Sequence, residues 1–229
     1  MRIMKVLVTC SLFWFIPLLV TAQSYTFPVE SPVEQVKVNG NIHLELVAAD
    51  RMFLEFQSDT VPDQLHITWS DGELILRTPT ELKQTPAIPV KLHYTGIYDF
   101  EVSRGAVIQS ADPVIAGTLS LKADTGGKLE LSIRADSLSA RVFQGSDIIL
   151  SGTTSSQMIQ ANTVGNFLGY ELDAVNTWIK ATTGAQVKVS STGLLNVQST
   201  SKAFVGYKGK PEQKEFKTSL GGEITQQNP

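Results

Sequence analysis

From Tyr25 onward, apolar and polar residues alternate in steps of two, and no stripe of period 3.6 persists along the chain. Side chains that change face at every residue mark half-buried strands, so the pattern predicts an all-β protein. Val36 and Val38, then Ile42, Leu44 and Leu46, face one way around Asn39-Gly40, while Lys37, His43 and Glu45 face the other. Leu54-Glu55-Phe56 continues the alternation. Leu65, Ile67 and Trp69 lead into Ser70-Asp71-Gly72-Glu73, and Leu74 and Leu76 follow. Asp-Gly tolerates the positive φ of a two-residue turn, so this stretch predicts a hairpin. The Pro-containing stretch from Thr78 to Pro89 reads as a loop closing the opening block.

Past residue 100 the alternation repeats itself. Thr125-Gly126, Gln144-Gly145, Val164-Gly165 and Thr183-Gly184 interrupt it at steps of 19, 20 and 19, and Ser201-Lys202 follows 18 later without a glycine. Leu119, Leu121 and Ala123, or Leu138, Ala140 and Val142, precede a break; Leu129 and Leu131, Ile148 and Leu150, Leu168 and Tyr170, Val187 and Val189, Val205 and Tyr207 follow one. A weaker copy sits at Val102-Ser103-Arg104, with Val107 beyond it. In the third unit, strict spacing from Gly165 turns Gln160 and Asn162 inward. A one-residue bulge returns Ile159, Ala161 and Thr163 to the inner face, which avoids burying unpartnered amides. The alternative is an internal polar ladder.

A strand-rich period near twenty residues is the signature of a solenoid, in which one unit cannot bury its own apolar face but stacked units share a continuous core. The expected architecture is a right-handed parallel β-helix of about 19–20-residue coils, with an N-terminal strand and hairpin block covering one end. Glycines would sit at stacked corners, and neighbouring Ser and Thr hydroxyls would satisfy corner amides. An antiparallel β-sandwich also fits short alternating strands with frequent turns.

The first residues bear on destination. Arg2 and Lys5 precede an apolar run from Val6 to Val20, and Val20-Thr21-Ala22 supplies small residues for cleavage, so residues 1–22 read as a secretory signal. The run holds Pro17 and is shorter than the roughly 20 residues of a membrane span. The only cysteine, Cys10, lies within it and not at a lipobox-like position. The remaining chain therefore has no disulfide, zinc-thiolate or thiol-nucleophile chemistry available. Its formal charge, −3 with Arg2 and Lys5 and −5 without them, gives no electrostatic reason to expect nucleic acid or anionic lipid as a partner. The chain divides into a signal over 1–22, a strand block over 23–100, a repeat region over 101–211 continuous with it, and a polar, loosely ordered tail over 212–229.

In order, VNGNIHLEL, DGELILR, PVKLHYTGIYDFEVSRGAVI, the repeated units and Val205-Gly206-Tyr207-Lys208-Gly209-Lys210-Pro211 resemble the head GIN domain family, adhesin-like domains of Gram-negative envelopes labelled as autotransporters. The likeness spans roughly residues 27–211 and lies in the order of the pieces. It implies a secreted β-helical domain with an adhesin-like role, and it supplies no catalytic residues to carry over. Gln144-Gly145-Ser146, Val164-Gly165-Asn166 and Ser201-Lys202 depart from the family's Ser-Gly-Ser-Gly corners, and Ser201-Lys202 predicts a looser final corner.

Specific chemistry is sparse. His43, His66 and His93 fall on outer strand positions, and no pair has ligand spacing. The sequence contains neither a Gly-x-Ser-x-Gly elbow nor a phosphate-cradling loop, so no catalytic residue, metal or cofactor is assigned. A β-helix can carry polysaccharide lyase or hydrolase activity on a lateral face through paired carboxylates, and Glu171 and Asp173 are the one close acidic pair in the repeats. Trp178 and Phe167 are the candidate binding residues, since exposed rings stack on sugars or anchor proteins; Tyr170 matches the inward Leu131 and Leu150. These features predict an exported, non-catalytic domain, periplasmic, at the cell surface or extracellular, that binds a glycan or protein partner. Open strand edges at the ends of the stack also predict self-association into a homo-oligomer.

Overall fold

A computed structural model describes residues 24–29, 32–79 and 86–227; the signal-like segment lies outside them. The described residues form strands and turns, with no helix. In chain order the strands are β1 (Tyr25–Pro28), β2 (Gln35–Asn39), β3 (Ile42–Ala48), β4 (Phe53–Phe56), β5 (His66–Ser70), β6 (Glu73–Arg77), β7 (Ile88–Tyr94), β8 (Asp99–Ser103) and β9 (Val107–Ser110). There follow β10 (Val114–Asp124), β11 (Lys128–Val142), β12 (Asp147–Ala161), β13 (Asn166–Ala181), β14 (Gln186–Ser191), β15 (Leu194–Thr200), β16 (Phe204–Lys208), β17 (Gln213–Ser219) and β18 (Glu223–Gln226).

The strands wind into a parallel β-solenoid. Each coil has a first face, whose strand runs into a tight corner, and a second face, whose strand leaves it. β11–β13 are long because each runs from one coil's second face round into the next coil's first, whereas β10 begins after the separate second-face strand β9. Parallel pairing runs through β10, β11, β12 and β13 and on through β15 to β17 and through β14 and β16 to β18, with the register slipping only where β13 meets β12 and β14. A facing-sheet sandwich is thereby excluded. On the first face, Leu74, Val36, Phe100, Leu121, Ala140, Ile159, Ile179, Val197 and Phe216 stack one above another. On the second face the matching column is Val90, Leu44, Ile108, Leu129, Ile148, Phe167, Val187, Val205 and Ile224. Most of these side chains are fully buried, and burying a Leu, Val or Ile contributes about 1.5–3 kcal/mol. One neighbouring column is partly polar: Leu119, Leu138, Gln157, Thr177 and Leu195 follow in register. Gln157 Nε2 donates to Thr177 Oγ1 at 3.0 Å within the core.

The corners are two-residue turns with both residues in the left-handed region. They fall at Arg104-Gly105, Thr125-Gly126, Gln144-Gly145, Thr163-Val164, Thr183-Gly184, Ser201-Lys202 and Leu220-Gly221. Each is closed by an i to i+3 bond, as from Gly127 N to Asp124 O and from Gly165 N to Asn162 O. Corner amides also donate to the next coil: Gly126 N to Gln144 O, Gly145 N to Thr163 O, Val164 N to Thr183 O. The backbone itself satisfies these groups, and the hydroxyls do not, contrary to the sequence expectation. Thr125 Oγ1 bonds the Gln144 side chain and Thr163 Oγ1 that of Asn162.

Three readings are corrected here. The corner that stands third among the breaks read from the sequence is Thr163-Val164, and Gly165 is the residue after it, equivalent to Gly127 and Ser146, so Ile159 and Ala161 reach the core without a bulge. Lys202 adopts φ 61° and keeps its corner as tight as the others. Residues 213–226, read as a loosely ordered tail, supply β17 and β18 around one further corner.

The N-terminal end does not follow chain order. β2 and β3 form the first coil, yet β6 and β7 lie beneath it, and the chain then returns to place β8 and β9 above it. Antiparallel strands cover that end: β5 pairs with β6 through the Asp71-Gly72 turn, β4 with β7, and β1 with β4.

Candidate functional site

The shifted third corner governs the outer surface of the coil that follows it. With Val164 in the turn, Phe167 takes the core position between Ile148 and Val187, and Gly169 takes the next inward slot, opposite Val189. Phe167 is 0% exposed, and its ring edge fills the space where a Cβ on Gly169 would lie. One large residue and one without a side chain thus replace the Leu129-Leu131 pair of an earlier coil. Phe167 is core and presents no surface to a partner, which corrects its place among the binding candidates.

The displaced residue is Tyr170. The register against β12 slips between Ile149 and Ser151, and against β14 between Gly169 and Asp173, leaving Tyr170 and its neighbours as surplus. Its side chain therefore lies outside, across the second face, with its hydroxyl against Gly206 where any larger residue would collide. Lys188 Nζ and Lys208 Nζ stand 5.9 Å and 4.9 Å from the ring centroid, a separation at which ammonium and ring attract. Burial pushes the Tyr170 hydroxyl above the ordinary phenol pKa, so it remains a neutral hydrogen-bonding group at physiological pH.

Beside this ring the outer second face changes character. Followed along the stack, one outward position reads Lys91, Glu45, Gln109, Glu130, Ile149, Leu168, Lys188 and Gly206. It is charged or polar on the N-terminal coils, with Lys91 and Glu45 paired at 3.2 Å, and turns apolar for two coils at Ile149 and Leu168. A groove of about 580 Å³ opens there. Ile149, Leu168 and Tyr170 give it an apolar floor and wall, while Glu130, Glu171 and Lys188 bring charge to its rim.

Trp178 lies where the sequence placed it, outward on the first face, 37% exposed beside Ile179 in the core. Its register partner Met158 is also exposed, so the two form an apolar pair on the surface. Glu171 and Asp173, close in sequence, line different grooves, the second beside Ile115, Arg134, Asp136 and Val175. The histidines are scattered. His66 is exposed, His93 Nε2 lies 2.9 Å from Glu55 Oε2 with its ring stacked on Phe53, and His43 Nε2 is buried without a hydrogen-bond partner among the described residues. Among those residues no group of three or more His, Cys, Asp or Glu side chains could hold a metal ion.

Comparison with other proteins gives a consistent picture of the fold. The family described as "Putative auto-transporter adhesin, head GIN domain" matches residues 33–211. A solved structure of a "putative adhesin" from Bacteroides fragilis is similar with a TM-score of 0.78 at 13% identity, over 91% of this chain and 98% of that one. One from Parabacteroides merdae follows at 0.68 and 13% identity, covering 90% and 95%. A "putative lipid binding protein" from Parabacteroides distasonis reaches 0.64 at 14% identity, covering 89% and 96%. No curated protein matches the sequence.

Proposed function

The chain belongs to the head GIN domain family, and from that premise we propose that it is an exported, non-catalytic binding domain whose groove beside Tyr170 holds a glycan strand. The observation that carries this reading is the outward row that becomes apolar at Ile149 and Leu168, beside the ejected Tyr170 ring. Sugar rings present apolar C–H faces and hydroxyl edges. The groove offers matching partners: Leu168, Ile149 and Tyr170 for the faces, and Ser132, Ser151, Glu130, Glu171 and Lys188 for the edges. Trp178 with Met158 supplies a second, smaller contact surface on the first face. The stack gives both surfaces a rigid frame, so binding requires little ordering of the protein.

Titration calorimetry of the purified protein against neutral and acidic polysaccharides tests this. Saturable binding is expected, weakened about tenfold or more by Tyr170→Ala and by Leu168→Ser, the scale of a lost stacking contact with its surroundings. Trp178→Ala leaves most of the affinity intact. A loss that follows Trp178→Ala and spares Tyr170→Ala moves the site to the first face. Absence of glycan binding, or saturable uptake of a lysolipid in its place, overturns the glycan reading.

A further inference from the structure

The two ends of the solenoid differ. Three antiparallel strands cover the N-terminal end, whereas among the described residues β17 pairs only with β15 and β18 only with β16. All seven residues of β17 are exposed, including Phe216, whose column neighbour Val197 is fully buried. An uncovered strand edge is a template for pairing.

The backbone at this edge is symmetric. Gln213 N bonds Gly193 O and Glu223 N bonds Ala203 O, so by alternation Gln213, Glu215, Lys217 and Ser219 turn their backbone groups toward β15, and Glu223 and Thr225 toward β16. Lys214, Phe216 and Thr218 in β17, and Ile224 and Gln226 in β18, direct theirs to the free edge. The first set is centred on Phe216 and the second on Thr225. These two residues each lie four positions outside the Leu220-Gly221 corner, so a single two-fold axis passes through both centres.

The side chains agree with the backbone. If β17 pairs antiparallel with a copy of itself about Phe216, Phe216 faces Phe216, Lys214 faces Thr218, and Glu215 faces Lys217 twice. Glu215 and Lys217 then form a pair without backbone bonds between them, where side chains approach most closely. A two-residue slip one way sets Lys217 against Lys217, and the other way Glu215 against Glu215. Glu215 accepts a bond from Asn196 within its own chain, and Lys217 has no ion pair among the described residues. The half-exposed Phe216 ring, 5.6 Å from Tyr207, would extend the core column across the junction.

We propose that two copies of this chain join tail to tail through β17 and β18, with β17 pairing antiparallel with its own copy about Phe216. Because the covered N-terminal ends point outward, such an assembly closes as a dimer and does not grow into a fibre.

Analytical ultracentrifugation of the purified protein over a concentration series tests the proposal. The wild type should dimerise. Lys217→Glu should weaken dimerisation at least about tenfold by opposing like charges across the strands, and the double variant Glu215→Lys with Lys217→Glu should restore it. Thr218→Pro removes only an N–H that faces the free edge, so it should leave the coil folded by circular dichroism while abolishing the dimer. A wild type that stays monomeric throughout, assembles beyond a dimer, or dimerises equally well with Lys217→Glu or Thr218→Pro would overturn the proposal.

Discussion

The coil that begins at Lys128 and the coil that begins at Asn166 solve the same packing problem differently. The first carries Gly126 in its corner and Leu129 and Leu131 inside. The second carries Val164 in its corner, Phe167 and Gly169 inside, and Tyr170 outside. The backbone path is nearly shared, yet one coil ends with a plain outer surface and the other with a ring lying across its neighbours. The core is indifferent to which residue fills a column so long as the volume is filled, and that freedom can be used to eject a side chain for use outside.

The largest effect should come from Phe167→Ala, which empties both its own slot and the space over Gly169. We expect a loss of about 3–5 kcal/mol in denaturant unfolding. Replacing the pair with Phe167→Leu and Gly169→Leu should recover much of that loss by recreating the earlier coil's interior. Next comes Thr177→Val. It deprives Gln157 Nε2 of its acceptor in a position that other coils fill with Leu138 and Leu195, and it should cost about 1–3 kcal/mol on the same measurement. The smallest effect has the opposite sign. Val164 holds φ 61° with its side chain 57% exposed. A β-branched residue there costs about 1–3 kcal/mol in strain, and glycine's greater unfolded freedom offsets about 0.5–1 kcal/mol of the relief. Val164→Gly should therefore raise the thermal midpoint by an amount corresponding to about 1 kcal/mol, and the same change at an ordinary strand position should lower it.

The parallel stack, its period and the Asp71-Gly72 hairpin were legible in the sequence because glycine spacing and two-residue alternation each have one local cause. The third corner was not. Val164 gives no sign of its positive φ, and Gly165 beside it offers a false one. A register set from Gly165 shifts the side chains that follow it, as far as Tyr170, by one residue, and in a strand such a slip reverses inside and outside. This is why the sequence points Phe167 to the surface and Tyr170 to the core, and why it gives no sign of the groove built on Tyr170. Trp178 is unaffected because the Thr183-Gly184 corner fixes its register independently. The order of the N-terminal layers was also hidden, since alternation records which face is buried but not which coil lies beneath. The sequence does not announce β17 and β18 because the last layer covers only one neighbour, so Lys214 can stand against the buried Leu195 and Thr218 against the buried Ser199 without completing an apolar stripe.

The non-sequential N-terminal layering bears on how the molecule comes apart under tension. A winding of this kind ordinarily unravels from either tip, one loop at a time. Here the earliest loop in the chain is clamped between β6–β7 on one side and β8–β9 on the other, so a pull at the front must shear two rows of bonds together. A pull at the back peels a single row. Drawn from both tips at once, the winding would hold fast at the front and yield, when it yields, from the far end.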